Sequence, residues 1–200
     1  AMSSSETKML NERFIKVLFF CNGTKRVVMR DLPKNFTFSG YVDKRGKNLV
    51  DIGAYCLMPN HFHVLVKERV ENGTSLFMQK LITAYTMYFN EKYKRKGRLF
   101  ESSYKSIHAN NDEYLKYLFA YIHLNPVKII NPKWKENGVG DVKKVENYLT
   151  KYAYSSFADY SGTERNFSLI LNKSEFPEYF PTPDAFKESI FDWITLSTEV

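Results

Sequence analysis

The chain carries the stretch Met58-Pro59-Asn60-His61-Phe62-His63-Val64-Leu65-Val66, in which two histidines flank one phenylalanine ahead of an apolar run. Successive side chains of a β-strand point to opposite faces, so His61 and His63 are expected on one face and Phe62 in the packing behind them. Two imidazoles side by side on a rigid strand can supply two ligands of a divalent metal ion. A structural role is the alternative, because a His-x-His pair on a strand also arises by chance.

The same stretch is expected to form one arm of an antiparallel hairpin. Residues 50–57 and 61–67 are rich in β-branched and aromatic side chains, and Met58-Pro59-Asn60 supplies the turn between them. The apolar run 13–20 predicts a first buried strand, and alternation in residues 99–109 predicts another. Residues 22–48 show no clear period.

Two helices are expected around these strands. Apolar residues at helical spacing predict a helix over residues 74–94, with Thr74 as its cap. A second helix is expected to begin at a cap on Asn111 or Asp112 and to end near Asn125-Pro126. The order of strand, hairpin, helix, strand and helix predicts an α+β fold, a ferredoxin-like antiparallel sheet with helices packed on it.

The second helix places a tyrosine hydroxyl near a third candidate metal ligand, an amide oxygen. Tyr121 and Asn125 are four residues apart, so they share a helix face. Tyr114 and Tyr117 lack a metal-capable residue one turn later, which favours Tyr121 as the functional tyrosine. Packing remains the alternative for any tyrosine, and Asn before Pro is also an ordinary helix-ending signal. His123 faces elsewhere on the helix and is expected at the surface or bonded to backbone.

Composition favours a folded basic protein. The 200 residues fit one domain, and 44% hydrophobic with 16% aromatic residues argue against disorder. The net charge of +7 is unevenly distributed: residues 155–200 contain three Lys or Arg and eight Asp or Glu, a net of −5, which leaves +12 on residues 1–154. This distribution suits a polyanionic partner, although ordinary solubility charge is the alternative.

The basic residues concentrate after the first predicted helix. Their phosphate contacts and the stacking of bases on neighbouring aromatic rings would suit single-stranded nucleic acid, and a solvated charged loop is the alternative. The turn at residues 43–47 could add contacts. The candidate DNA-binding residues are Lys92, Lys94, Arg95, Lys96, Arg98, Tyr104 and Lys105.

Cysteines and termini point to a cytoplasmic protein. Cys21 and Cys56 lie in apolar runs without a metal-type spacing, so free buried thiols are expected. No signal peptide and no membrane-spanning run is recognised, which predicts no membrane partner. Residues 1–10 are expected to be a disordered start, partly left over from cloning.

Several motifs together resemble those of single-tyrosine HUH transposases, in particular the REP-associated tyrosine transposases of bacteria. The resemblance covers roughly residues 50–130, with a weaker match at residues 152–157. The matching blocks, in the family's order, are Ala54-Tyr55-Cys56-Leu57-Met58-Pro59-Asn60-His61-Phe62-His63-Val64-Leu65-Val66, Phe89-Asn90, Gly97-Arg98-Leu99-Phe100, Tyr104-Lys105-Ser106 and Tyr121-Ile122-His123-Leu124-Asn125-Pro126-Val127.

The resemblance implies a mechanism. Tyr121 would attack a DNA phosphate and form a 5′-phosphotyrosine link, while His61, His63 and Asn125 hold a divalent metal, magnesium or manganese. On ligand type alone zinc is equally arguable. The implied substrate is single-stranded DNA at hairpin-bearing element ends. The catalytic domain is expected over residues 11–140, and residues 141–200 are expected to be an extension packed on it.

Other functions stay open at this stage. A domesticated, non-catalytic DNA-hairpin-binding protein could keep the fold, but it would not need all four residues of the proposed site. A relaxase-type nickase usually places its tyrosine and histidines differently. A metal-free phosphodiesterase could use His61 and His63 as acid and base, and Tyr121 would then be dispensable. A monomer and a homodimer are both open.

Overall fold

The computed structural model describes residues 3–196 and has an α+β fold, as expected. Its regular elements are α1 (Ser4–Cys21), β1 (Val50–Leu57), β2 (Phe62–Glu68), α2 (Gly73–Tyr93), α3 (Asp112–Leu124), α4 (Val127–Ile130), α5 (Trp134–Asn137), α6 (Val142–Lys151), α7 (Phe157–Tyr160) and α8 (Pro183–Leu196). Within the described residues, the sheet consists of β1 and β2 alone. Two strands are too few to define the expected ferredoxin-like sheet.

The predicted hairpin is confirmed. The backbone N–H of Met58 donates to the carbonyl of His61 at 2.8 Å, which closes the turn between the strands. Every residue of β1 is buried, whereas β2 is mostly half-buried. A strand with both faces covered gives a rigid base, and its partner is left with one face available for polar side chains.

The chain divides into two compact units. Unit 1 comprises Ala1–Asp51 and Val66–Ile107, and unit 2 comprises Ile52–Leu65 and His108–Val200, of which residues 3–196 are described. The expected boundary near residue 140 falls inside unit 2. In unit 1, α1 packs on α2, with the rings of Phe14 and Tyr85 4.9 Å apart.

Helix α3 is held from two sides within unit 2. Phe119 and Ile122 pack with Ala54 and Leu65 of the hairpin. Another group of α3 side chains packs with Phe186 and the rest of α8, which lies in the extension expected to pack on the catalytic domain. An amphipathic helix clamped in this way fixes the direction of the side chains between its two buried faces.

The predicted strand over residues 13–20 is wrong, because these residues form the second half of α1. The six apolar residues among these eight are all buried, and a short, mostly apolar run does not distinguish a helix from a strand by its period. The missed signal lies upstream, where Ser3 accepts a hydrogen bond from the backbone N–H of Glu6 at 3.2 Å and begins the helix. Residues 4–10, expected to belong to a disordered start, are therefore helical.

The predicted strand over residues 99–109 is also wrong. These residues have no regular structure and are nearly all exposed; the side chain of Ile107 is 75% exposed. An alternating pattern forms a strand only when a partner strand pairs with it and one face is buried. Neither condition is met here.

Helix α2 has the predicted extent but a different start. Its N-cap is Asn72 in the left-handed region (φ 57°), with no side-chain capping bond. The backbone N–H of Thr74 instead donates to the Glu68 carboxylate at 3.2 Å, so a residue from β2 performs the role expected of Thr74. Both cysteines are free and buried, as predicted. None of the helices within residues 3–196 is both long enough and apolar enough to cross a membrane.

Candidate active site

The two histidines of the hairpin lie side by side, as the strand alternation predicts. Their ring centroids are 5.0 Å apart. His61 Nδ1 donates to Asn60 Oδ1 at 2.8 Å, because an amide oxygen can only accept. This bond selects the tautomer of His61 whose Nε2 carries the lone pair that a metal ion would use.

Both imidazoles are held in their neutral form. Burial and the nearby Lys128 ammonium lower the pKa of His61. Burial, His61 and Lys128 together lower the pKa of His63 to about 4. Since only the neutral ring can bind a metal ion, this environment prepares the pair for that role at neutral pH.

Tyr121 of α3 lies against the histidine pair. Its ring centroid is 5.2 Å from that of His63, in an edge-to-face arrangement. The helix that carries it begins at Asn111, whose side chain accepts a hydrogen bond from the backbone N–H of Tyr114 at 2.8 Å, as one of the two predicted caps. The hairpin and the helix therefore bring the predicted nucleophile to the predicted ligands.

Asn125 is buried one turn after Tyr121, and the two polar atoms of its side chain differ in their hydrogen bonding. Its Nδ2 donates to the backbone carbonyl of Tyr121 at 2.7 Å, which fixes the amide orientation. Asn125 Oδ1 is buried and has no hydrogen-bond partner among the described residues. The free atom of the side chain is thus the acceptor, which is the atom that binds metal ions.

These residues fit a divalent metal. His63 Nε2, like Asn125 Oδ1, is buried without a partner, although buried polar atoms are nearly always paired. Among residues 3–196 there is no group of three or more His, Cys, Asp or Glu side chains that could hold a metal. A metal here would depend on two imidazoles and an amide oxygen, the set that the sequence predicts.

The sequence reasoning missed two lysines beside Tyr121. Lys128 Nζ lies 5.9 Å and Lys135 Nζ 5.1 Å from the centroid of the Tyr121 ring. Neither forms a salt bridge within the described part of the chain. Lys128 follows Tyr121 by seven residues, a helical spacing that could have revealed it if the helix were assumed to continue past Pro126.

An open cleft adjoins the tyrosine within unit 2. It measures about 350 Å³, counting the solvent in its mouth. The cleft is lined by Tyr117, Ala120, Tyr121, Leu124, Asn125, Lys128, Trp134, Lys135 and Trp193.

His123, also on α3, does not line this cleft. His123 is fully buried rather than at the surface, and its Nε2 is hydrogen-bonded to Ser156 Oγ at 2.7 Å. Burial lowers its pKa to about 3. A neutral histidine in the core is a structural residue, so it does not substitute for Asn125.

The predicted DNA-binding residues all belong to unit 1. Lys94 ends α2 in the left-handed region (φ 52°), and the loop after it is closed by Asn90 Nδ2, which donates to the carbonyl of Gly97 at 2.8 Å. Lys94, Arg95, Lys96 and Arg98 are exposed and form no salt bridge with any described residue. Tyr104 is hydrogen-bonded to Ser75 at 3.3 Å. We call residues 92–98 the basic segment.

One of the nucleic-acid contacts expected from the turn at residues 43–47 is wrong. Arg45, in the basic turn at residues 43–47, is buried over the Phe19 ring at 4.3 Å, and its Nη2 donates to Asn48 Oδ1 at 2.6 Å. An arginine held in this way stabilises unit 1 and presents no charge to a nucleic acid.

Comparison with known proteins identifies the family. The family described as "Transposase IS200 like" matches residues 16–125, which is more than half of the chain and includes the hairpin, Tyr121 and Asn125. No curated protein and no solved structure was found to match. On this match, the chain belongs to the IS200-like transposase family.

Proposed function

We propose that this protein is a metal-dependent DNA transposase that cleaves and rejoins single-stranded DNA at hairpin-bearing element ends, with Tyr121 as its nucleophile. One observation carries the proposal: His63 Nε2 and Asn125 Oδ1 are buried without partners, and both side chains contact Tyr121. An unpaired buried polar atom costs free energy, and an acceptor left unpaired next to a nucleophile is available to a ligand. A non-catalytic DNA-hairpin-binding protein would have no use for these atoms.

The proposed reaction is a transesterification at phosphorus. Tyr121 Oη forms a bond to the scissile phosphate, and the bond from phosphorus to the 3′-oxygen breaks. The phenolic proton passes to water, and the departing 3′-oxygen takes up a proton to become a hydroxyl. The 5′-phosphotyrosine link conserves the phosphodiester, so a 3′-hydroxyl from another strand can reverse the step without ATP.

A phenol is a weak nucleophile at neutral pH, because its ordinary pKa is about 10. A magnesium or manganese ion, when bound by His61, His63 and Asn125, would draw electron density from a phosphate oxygen and make the phosphorus more electrophilic. Asn60 orients the His61 ring for this role. Lys128, close enough to lower the pKa of both histidines, would balance the negative charge of the phosphate.

The DNA strand would be held by the basic segment. Exposed and unpaired cations favour a polyanion through release of its counterions, without regard to sequence. Lys105 and Tyr104 would extend that contact along the chain. The ferredoxin-like form of the α+β fold belongs to this proposal as well.

The test is a covalent capture experiment. Single-stranded DNA with a hairpin from the flanks of the gene is incubated with protein and Mg²⁺ or Mn²⁺, and the products are separated on a denaturing gel. Wild type is expected to give a metal-dependent protein–DNA adduct. Tyr121→Phe is expected to give none, since it lacks the attacking oxygen. Tyr114→Phe, on the same helix, is the matched control and keeps the adduct.

Two results would contradict the proposal. Cleavage without an adduct that survives in Tyr121→Phe would indicate a hydrolytic phosphodiesterase that uses the histidines directly. Tight binding of the hairpin with neither cleavage nor adduct in any metal would indicate the domesticated binding protein.

A further inference from the structure

The cleft beside Tyr121 is also lined by residues that the proposed reaction does not use, among them Tyr117, Lys135 and Trp193. Resting on the proposed function, we propose that this cleft binds one unpaired nucleotide next to the scissile phosphate, with its base against Tyr117 and Trp193 and its phosphate at Lys135. The cleft would then decide which nucleotide is presented to Tyr121. We call it the nucleotide cleft.

Position supports this role. Tyr121 and Asn125 line the nucleotide cleft together with Tyr117 and Trp193, so a ligand in it touches the tyrosine itself. The cleft is open at its mouth, so a ligand can enter it from solvent.

The positive charge of the nucleotide cleft favours an anionic ligand. Lys128 and Lys135 both line the nucleotide cleft, and its lining contains no aspartate or glutamate. Burial and the neighbouring Lys128 lower the pKa of Lys135, which indicates two cations near each other with no carboxylate to offset their repulsion. A phosphate placed between them removes that repulsion, which an apolar or cationic ligand cannot do.

Aromatic side chains favour a base next to that phosphate. The Tyr117 ring lies 5.3 Å from the Trp193 ring and 5.9 Å from the Tyr121 ring, measured between centroids. Base stacking on such side chains is the usual way in which unpaired nucleic acid is held. Trp134, 3% exposed, has an indole Nε1 with no hydrogen-bond partner among the described residues, a donor that a base edge or phosphate oxygen can use.

The chain supplies its own probe for this site. It contains two tryptophans, Trp134 and Trp193, and both line the nucleotide cleft. Intrinsic fluorescence therefore reports on this cleft directly. The experiment titrates the full chain, in EDTA so that no covalent step occurs, with a short oligothymidylate and with an abasic oligomer of the same length.

We expect saturable quenching by the oligothymidylate and an affinity for the abasic oligomer that is about 5- to 100-fold weaker, the range for loss of one stacked base. Tyr117→Leu keeps the bulk but removes the ring, and it is expected to reduce the difference between the two oligomers. Lys135→Gln is expected to weaken both. Lys133→Gln, two residues away and outside the lining, is the matched control and changes neither.

The inference is overturned if the two oligomers bind equally, if quenching is absent, or if Lys135→Gln matches Lys133→Gln. The covalent capture assay separates this outcome from failure of the proposed function. Adducts that form normally in a protein without base-dependent quenching reject the nucleotide cleft alone. Base-dependent quenching in a protein that never forms adducts rejects the transposase chemistry and keeps the cleft.

Discussion

The site around Tyr121 and the basic segment are both polar, yet they are built in opposite ways. Around Tyr121 the polar atoms are few, oriented by specific partners such as Asn60, and in two cases buried without a hydrogen bond. In the basic segment four of the five cations are exposed, and these four form no salt bridge with any described residue. The difference indicates that the first region positions atoms for chemistry, which depends on fixed geometry, and the second attracts a polyanion, which depends on charge alone.

The largest expected effect is the loss of a metal ligand. His63→Ala is expected to lower metal-dependent DNA cleavage at least roughly a thousandfold, because the metal's charge stabilisation is worth several kcal/mol. The measurement is the initial rate of cleavage in Mg²⁺ and in Mn²⁺. His108→Ala removes an exposed histidine and serves as the matched control. Activity of His63→Ala within tenfold of wild type would contradict the assignment of His63 as a metal ligand, and with it the conclusion that the region around Tyr121 positions atoms for chemistry.

A smaller effect is expected for Asn60, which orients a metal ligand without binding the metal itself. Asn60→Ala removes the acceptor that orients His61, and the affinity for Mn²⁺ is expected to fall about 10- to 100-fold, the usual cost of losing a partner of a ligand. Asn60→Asp keeps an acceptor and is expected to retain the affinity. Binding is followed by the EPR signal of free Mn²⁺, a readout independent of DNA. Equal losses in both variants would show that the side chain matters for folding of the turn and not for orientation.

The basic segment should respond through salt dependence and not through the chemical step. Replacing Lys94, Lys96 and Arg98 together by Gln is expected to reduce the slope of log affinity against log salt by about 2, at 0.7 per charge for a single strand. The single-turnover rate at saturating DNA should stay near that of wild type. A triple replacement of Lys143, Lys144 and Lys151, exposed residues of unit 2, is the matched control. A large fall in the saturated rate would mean that the basic segment also positions the DNA.

The smallest effect concerns stability. Burial lowers the pKa of His123 to about 3 in the folded protein, against about 6.5 in the unfolded chain, so between these values the unfolded state binds more protons. Its contribution to stability is present above pH 6.5 and is lost as the pH falls toward 3. The loss amounts to about 2 kcal/mol at pH 5. Urea unfolding at pH 7.5 and pH 5.0 measures it.

His63, with its pKa lowered to about 4, adds to this acid sensitivity in the same direction. His123→Gln should therefore flatten the pH dependence without abolishing it. An identical slope in His123→Gln and wild type would contradict the assignment of a buried neutral histidine.

Much of the candidate site followed from local patterns. The hairpin, the extent of α3 and the shared face of Tyr121 and Asn125 depend on alternation, capping and the helical repeat, which act within a few residues. The strand predicted over residues 13–20 is wrong because a short, mostly apolar run can be buried in a helix as well as in a strand. The strand predicted over residues 99–109 is wrong because no partner strand among the described residues pairs with this segment and buries one of its faces.

The sequence by itself determined which residues could act: the His-x-His pair, a tyrosine followed one turn later by asparagine, and the basic segment. Only the tertiary structure decided which of their atoms remain open. Asn125 Oδ1 and His63 Nε2 are buried without partners among the described residues, and Lys135 and Trp193 reach the nucleotide cleft from separate helices. Such placement depends on packing between distant segments, and residue spacing along one element carries no information about it.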